Sequence, residues 1–225
     1  IGFSGDTIVT WESLQYQPYF TATAANVGYG WWSHDIGGHM QGLDDSELYA
    51  RWVQYGVFSP INRLHTSSGI FNRREPWKHS HEAFKTAKQY LNLRHQLVPY
   101  LYSMAWRNEQ EGLPLVTPLY YDYPHEQKAY DYKNEYYFGS ELLVAPHLTK
   151  RSDVTNRSYT EVWLPRGEYF NFFTGEPYKG NNVYPMYGKL EEMPVFAKAG
   201  AIIPLAKHDD NSIENPAKMD ILIFG

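Results

Sequence analysis

The chain has 225 residues, enough for two domains, and its 20 basic and 25 acidic side chains leave a formal charge of −5 without any run of Lys or Arg. That balance excludes nucleic acid as a partner, since binding it takes a concentrated basic face, and no apolar stretch is long enough for a membrane-spanning helix. The absence of Cys removes disulfides and thiolate metal sites, while the 17% aromatic content suits a half-wet saccharide cleft as well as a core.

Taken in chain order, residues 1–5 read as a short strand ending at Asp6, and 10–17 as a brief helix stopped by Pro18. Residues 20–25 and 26–32 read as extended segments leading to Asp35, after which Gly37 and Gly38 break the run. Asp44 takes the N-cap place of the next helix with Glu47 at N3, and Gly56 follows as its C′ residue. A strand over 57–64 runs into His65. A long helix then covers about 82–111, kinked by Pro99 and stopped by Gly112 and Pro114. Strand, polar tip and helix recur, the mark of a parallel α/β layer with its functional groups at the strand C-termini. Asp6, Asp35 and His65 all stand at such tips.

After Pro124 the pattern changes to short strands, at 142–145, 160–164, 169–173, 195–199 and 201–205, separated by Gly, Pro, Asn and Asp turns. This predicts an antiparallel β-sandwich. The expected divisions are 1–123, 124–206 and 207–225, with a polar linker over 208–216 ahead of a last strand at 219–224 that opens a further β domain. The start at Ile1 without Met, and an ending in a strand-like run, lead to the expectation of a segment of something longer.

The stretch 30–39, Gly-Trp-Trp-Ser-His-Asp-Ile-Gly-Gly-His, gathers indoles, imidazoles and a carboxylate on a backbone bracketed by glycines. Indole faces stack on sugar rings while Asp, His and Arg bond hydroxyls, so the composition points to a neutral polyol. Taken alone, Asp6 reads equally as a solvated turn residue or as a glycosidase acid/base. His65, after Asn62-Arg63-Leu64, reads as a ligand of substrate or as a satisfied core histidine. His34, Asp35 and His39 lack the helical spacing of a metal site, so no metal is expected. No nucleophile elbow surrounds Ser4, Ser33 or Ser67, and no dinucleotide fingerprint or other cofactor signature is present, so no cofactor is expected.

With those residues in view, the sequence resembles glycoside hydrolase family 31, the α-glucosidase and α-xylosidase family, from Ile1 to about Leu205. Residues 1–7, Ile-Gly-Phe-Ser-Gly-Asp-Thr, resemble the family's W-x-G-D segment, so the resemblance implies that Asp6 is the general acid/base; Phe3 stands where many members have Trp, at an aromatic wall of the sugar site. Residues 32–39 resemble the D-I-G-G-F segment, with Asp35 matching a site carboxylate and His39 in place of the usual Phe. Residues 58–65 resemble the segment whose terminal His binds substrate hydroxyls, here His65, and 94–102 resemble the last barrel helix. The resemblance implies an α/β plus all-β chain: the C-terminal part of a (β/α)8 TIM barrel followed by an antiparallel β-sandwich. It also implies a retaining exo-α-glycosidase whose nucleophile lies upstream. On that reading Asp6 is catalytic, Phe3, Trp32, Asp35, His39, Arg63 and His65 bind substrate, and the partner is an oligosaccharide or α-glycoside. An α-xylosidase, a transglucosylase, and a carbohydrate-binding protein without turnover are the alternatives.

Overall fold

A computed structural model describes residues 1–69, 72–207 and 212–225. In its first half, β1 (Gly2–Phe3) runs parallel to β2 (Trp32–Ser33), with Gly2 opposite Trp32 and Phe3 opposite Ser33. Single parallel bridges add Ile36 to Leu64 and Ile8 to Met40. The expected strand over 1–5 is reduced to two residues, and that over 57–64 to the Leu64 bridge, because helical structure extends to Val57 and Phe58 N and Ser59 N still bond back to Tyr55 O at 3.1 Å and Gly56 O at 3.2 Å.

The helices behind these strands correct four expectations. Helix α1 (Trp11–Ala24) is capped by Thr10, whose Oγ1 accepts from Ser13 N at 3.1 Å, and it continues through Pro18 across residues predicted as extended. Proline removes one ladder bond there, but Pro18 is buried, and the Tyr55 hydroxyl donates to Gln17 O at 3.1 Å and meets Thr21 Oγ1 at 2.5 Å. Packing thus overrides the local breaker. Helix α2 (Ser46–Val57) is capped by Asp45 rather than Asp44. Asp45 Oδ1 accepts from Glu47 N at 2.8 Å and Leu48 N at 3.1 Å, while Oδ2 accepts from the Trp11 indole at 3.1 Å. Gly56 lies inside α2 instead of ending it, since a Cβ there would stand 2.5 Å from Ile36 Cδ1. The expected long helix is two, α3 (His81–Gln96) and α4 (Val98–Glu111), joined at Leu97. Pro99 sits in the first turn of α4, where its missing N–H has no helical partner to lose.

The second half is antiparallel. Strands β3 (Val116–Pro118), β4 (Tyr136–Phe138), β5 (Leu142–Val144), β7 (Glu168–Asn171), β8 (Pro177–Lys179) and β10 (Val195–Lys198) form one sheet in the order β3-β4-β5-β10-β7-β8. β3 lies ahead of Pro124, so the sheet starts before that residue. A separate pair, β6 (Ser158–Leu164) with β9 (Asn182–Gly188), packs on one face.

Strand periodicity divides the sheet's side chains between two cores. Tyr137, Leu143 and Phe196 face Val162, Trp163 and Leu164 of β6. Tyr136, Phe138, Leu142, Val144, Val195 and Ala197 face the other way, into one cluster with Leu14, Trp52 and Tyr90 from the helices. Two strands close the chain: β11 (Ile202–Ala206) pairs with β12 (Met219–Ile223), Ile203 opposite Leu222. Of the linker expected over 208–216, residues 208–211 lie outside the described residues. The architecture is part of a TIM-type α/β barrel followed by a β-sandwich. Among the described residues no helix is long and apolar enough to cross a membrane.

Candidate functional site

The three polar tips meet, and main-chain bonds set their register. His39 N donates to Thr7 O at 2.7 Å, which ties the second tip to the residue beside Asp6. His39 O accepts from Ser67 N at 2.9 Å and Thr66 Oγ1 at 2.8 Å, which ties it to the third. Gly38 permits this approach: its φ is +79°, and a Cβ would stand 2.9 Å from Val9 Cα.

On that frame the side chains form a connected chain. Arg63 Nη2 donates to Asp35 Oδ1 at 2.5 Å, and its guanidinium carbon lies 5.0 Å from the centre of the Phe3 ring. Asp35 Oδ2 lies 3.2 Å from His39 Nδ1, and His39 Nε2 lies 3.6 Å from Asp6 Oδ2. The His39 and His65 rings are 5.0 Å apart, tilted by 40°. Exposure grades along this line: the Asp35 side chain is at 0%, His39 at 13% and Asp6 at 53%. Phe3 and His65 are also exposed. Burial pushes the Asp35 carboxyl pKa up, and Arg63, then His65 and His39, pull it back down. Asp35 Oδ2, His39 Nδ1, Arg63 Nε and Asn62 Nδ2 are buried here without a hydrogen-bond partner, as are polar atoms elsewhere in the fold, Glu135 Oε2 among them.

The structure therefore brings Phe3, Asp6, Asp35, His39, Arg63 and His65 together. Trp32 is set apart: its indole is buried and packs on Phe20 and Tyr29, and the exposed member of the pair is Trp31. His34 points the other way, into the core, where Trp52 Nε1 donates to its Nδ1 at 3.3 Å and Ser59 Oγ meets its Nε2 at 2.9 Å. Burial lowers its pKa to about 3, so it is a neutral core residue. One donor atom each from Asp35, His39 and His65 falls within 4.8 Å of the others, a grouping that helical spacing did not foresee. Those donors fit a metal poorly, because the Asp35 carboxylate is already held by the Arg63 guanidinium.

Two supporting arginines escaped the sequence. Arg74 Nε donates to Gly38 O at 2.8 Å and braces the second tip. Arg94 donates to Val57 O at 2.6 Å, Ser59 O at 2.7 Å and Pro60 O at 2.9 Å, and so fixes the segment leading to Arg63 and His65. Both bind carbonyls far along the chain, which leaves no local signature.

Comparison with known proteins gives a consistent set of likenesses. The family profile described as the glycosyl hydrolases family 31 TIM-barrel domain matches residues 1–104, and that of the family 31 C-terminal domain matches 112–203. An α-xylosidase of Saccharolobus solfataricus is 33% identical over 95% of this chain and 29% of its own length. Alpha-glucosidase 2 of Bacillus thermoamyloliquefaciens is 31% identical over 90% of the chain and 25% of its own. A family 31 dextranase of Flavobacterium johnsoniae, solved with isomaltotriose, superposes with a TM-score of 0.87 at 31% identity, covering 98% of this chain and 28% of that one. The chain thus spans less than a third of each of these relatives.

Proposed function

The chain belongs to glycoside hydrolase family 31, and from that membership we propose that it carries the acid/base side of a retaining exo-α-glycosidase, α-glucosidase-like, acting on terminal α-linked sugars of oligosaccharides. The observation that carries the reading is Asp6. It is a half-exposed carboxyl at a strand tip, beside His39 and within the group of Phe3, Arg63 and His65.

The Asp6 carboxyl protonates the glycosidic oxygen as the C1–O bond breaks and a nucleophile carboxylate bonds to C1. Asp6, now ionised, takes a proton from the water whose oxygen attacks C1 and releases the nucleophile. In retaining enzymes the two carboxyls stand ~5–5.5 Å apart. Asp35 is fully buried and paired to Arg63, which argues against it as the partner. The nucleophile comes from outside these residues, and a polypeptide limited to them does not turn over; the small share of each relative that the chain spans supports this. His65 bonds a sugar hydroxyl, and Phe3 and Arg63 wall the ring.

An α-xylosidase is the second reading, favoured by the Saccharolobus relative; a transglucosylase would use the same groups with a sugar hydroxyl in place of water. A binding protein without turnover has no use for a carboxyl at Asp6. The test is Asp6→Ala in the longer polypeptide that carries these residues, assayed on a panel of aryl α-glycosides. Turnover of poor leaving groups is expected to fall about 10²–10⁴-fold, and very acidic leaving groups to lose less in the first step. Azide is expected to trap a glycosyl azide of retained configuration. Equal loss on every substrate without that product would sink the assignment.

A further inference from the structure

We propose that His39 is a positioning residue for Asp6: its imidazole spans the gap between the buried Asp35 carboxylate and the Asp6 carboxyl and holds Asp6 where it can donate its proton. The inference rests on the acid/base reading of Asp6 and adds a residue to it.

Three observations carry it. The ring nitrogens face two different carboxylates, Nδ1 at 3.2 Å from Asp35 and Nε2 at 3.6 Å from Asp6. The His39 backbone is bonded on both sides, through its N–H to Thr7 O and through its carbonyl to Thr66 and Ser67. Its Cα is therefore held at the junction of the three tips. Finally, its side chain is 13% exposed while that of Asp6 is 53% exposed, so His39 stands behind Asp6 as seen from solvent.

An imidazole set between two carboxylates turns a polar atom to each, the buried one on its Nδ1 side and the half-exposed one on its Nε2 side. Asp35 is fixed in turn by Arg63, which lies against Phe3. A phenylalanine at position 39 fills similar space but contacts neither carboxylate through a polar atom. The charged and titratable groups around His39 are Asp6, Asp35 and His65, with Arg63 behind Asp35 and Arg74 on the carbonyl of Gly38.

The experiment compares His39→Phe, His39→Gln and the parent in the longer polypeptide, on α-glycosides of graded leaving-group acidity, with and without Asp6→Ala. A positioning role makes the loss depend on the need for an acid. His39→Phe is expected to cost about 100-fold in kcat/KM on poor leaving groups and less than about threefold on α-glycosyl fluoride. His39→Gln, which keeps an amide within reach of Asp6, is expected to stay within about tenfold of the parent. In the Asp6→Ala background the His39→Phe loss on poor leaving groups should vanish. An equal loss on all substrates, expressed mainly in KM, would make His39 a sugar ligand and overturn the proposal while leaving Asp6 as acid/base. A flat leaving-group dependence for Asp6→Ala itself would instead strike the acid/base reading, and this inference with it.

Discussion

At the strand tips the buried Asp35 carboxyl meets Arg63 on one oxygen and His39 on the other. On the sandwich side the buried carboxyl of Glu135 accepts a hydrogen bond from Trp163 N at 2.8 Å, and its second oxygen, like Asp35 Oδ2, has no hydrogen-bond partner, but among the described residues no cation or imidazole faces it. Burial raises the pKa of both, but cations beside Asp35 oppose the rise, whereas only a main-chain amide does so at Glu135. The first arrangement sets a guanidinium and an imidazole around the buried carboxyl, and the imidazole's far side faces a half-exposed group. The second has only the main chain for a partner and serves packing. A buried acid thus signals chemistry only when its compensating neighbours lead to solvent.

Phe196→Ala breaks the comparison most sharply. Phe196 is fully buried between β6 and the sheet, so the variant is expected to lose about 4 kcal/mol in denaturant unfolding. Activity per folded molecule of the longer polypeptide should not change, and a loss of turnover without a loss of stability would contradict the division. His65→Ala should do the reverse. It is expected to remove about 3 kcal/mol of transition-state stabilisation, read as kcat/KM, with the melting temperature unchanged.

Glu135→Gln tests the sandwich acid. A carboxyl whose folded pKa lies above its ordinary 4.5 binds more protons folded than unfolded, so its contribution to stability declines as pH rises above 4.5. The amide removes that slope, and a gain of about 2 kcal/mol at pH 7 is expected in urea titrations. No gain would mean that Glu135 has a counterion. The buried His147 gives a smaller effect of opposite sense, its pKa lowered by burial to about 3. Below pH 6.5 the unfolded chain takes up a proton that the folded chain refuses, so stability drops as pH falls toward 3. His147→Gln is expected to recover roughly 1.4 kcal/mol near pH 5.5, checked by the acid unfolding midpoint.

The tips were legible because Asp6, Asp35 and His65 each end a short run of mixed apolar and polar residues ahead of Gly, Ser or Thr, a pattern carried by nearby residues. Trp31 and Trp32 could not be told apart in this way. Which indole is buried depends on Gly2, across the β1–β2 pair, where a Cβ would stand 2.5 Å from the Trp32 ring. Local rules also failed where distant partners decide: α1 runs on past Pro18 with that residue buried and Tyr55 bonded to the next turn, and the Trp11 indole bonds the cap Asp45. Strands β3, β4, β8 and β9 were unforeseen; β3, β8 and β9 each contain a proline, at Pro118, Pro177 and Pro185. His39 was readable as a departure from Phe, but its position between two carboxylates needs three loops in space.

The middle strands of the six-stranded sheet carry alternate side chains into two cores, one shared with the helices. Loosening either core therefore disturbs the same backbone, and neither lobe can melt while the other stays native. Hydrogen exchange reads this directly. The amides of β4, β5 and β10 should exchange last and with a common free energy of opening, equal to that of global unfolding, and calorimetry should record one transition where two lobes are seen.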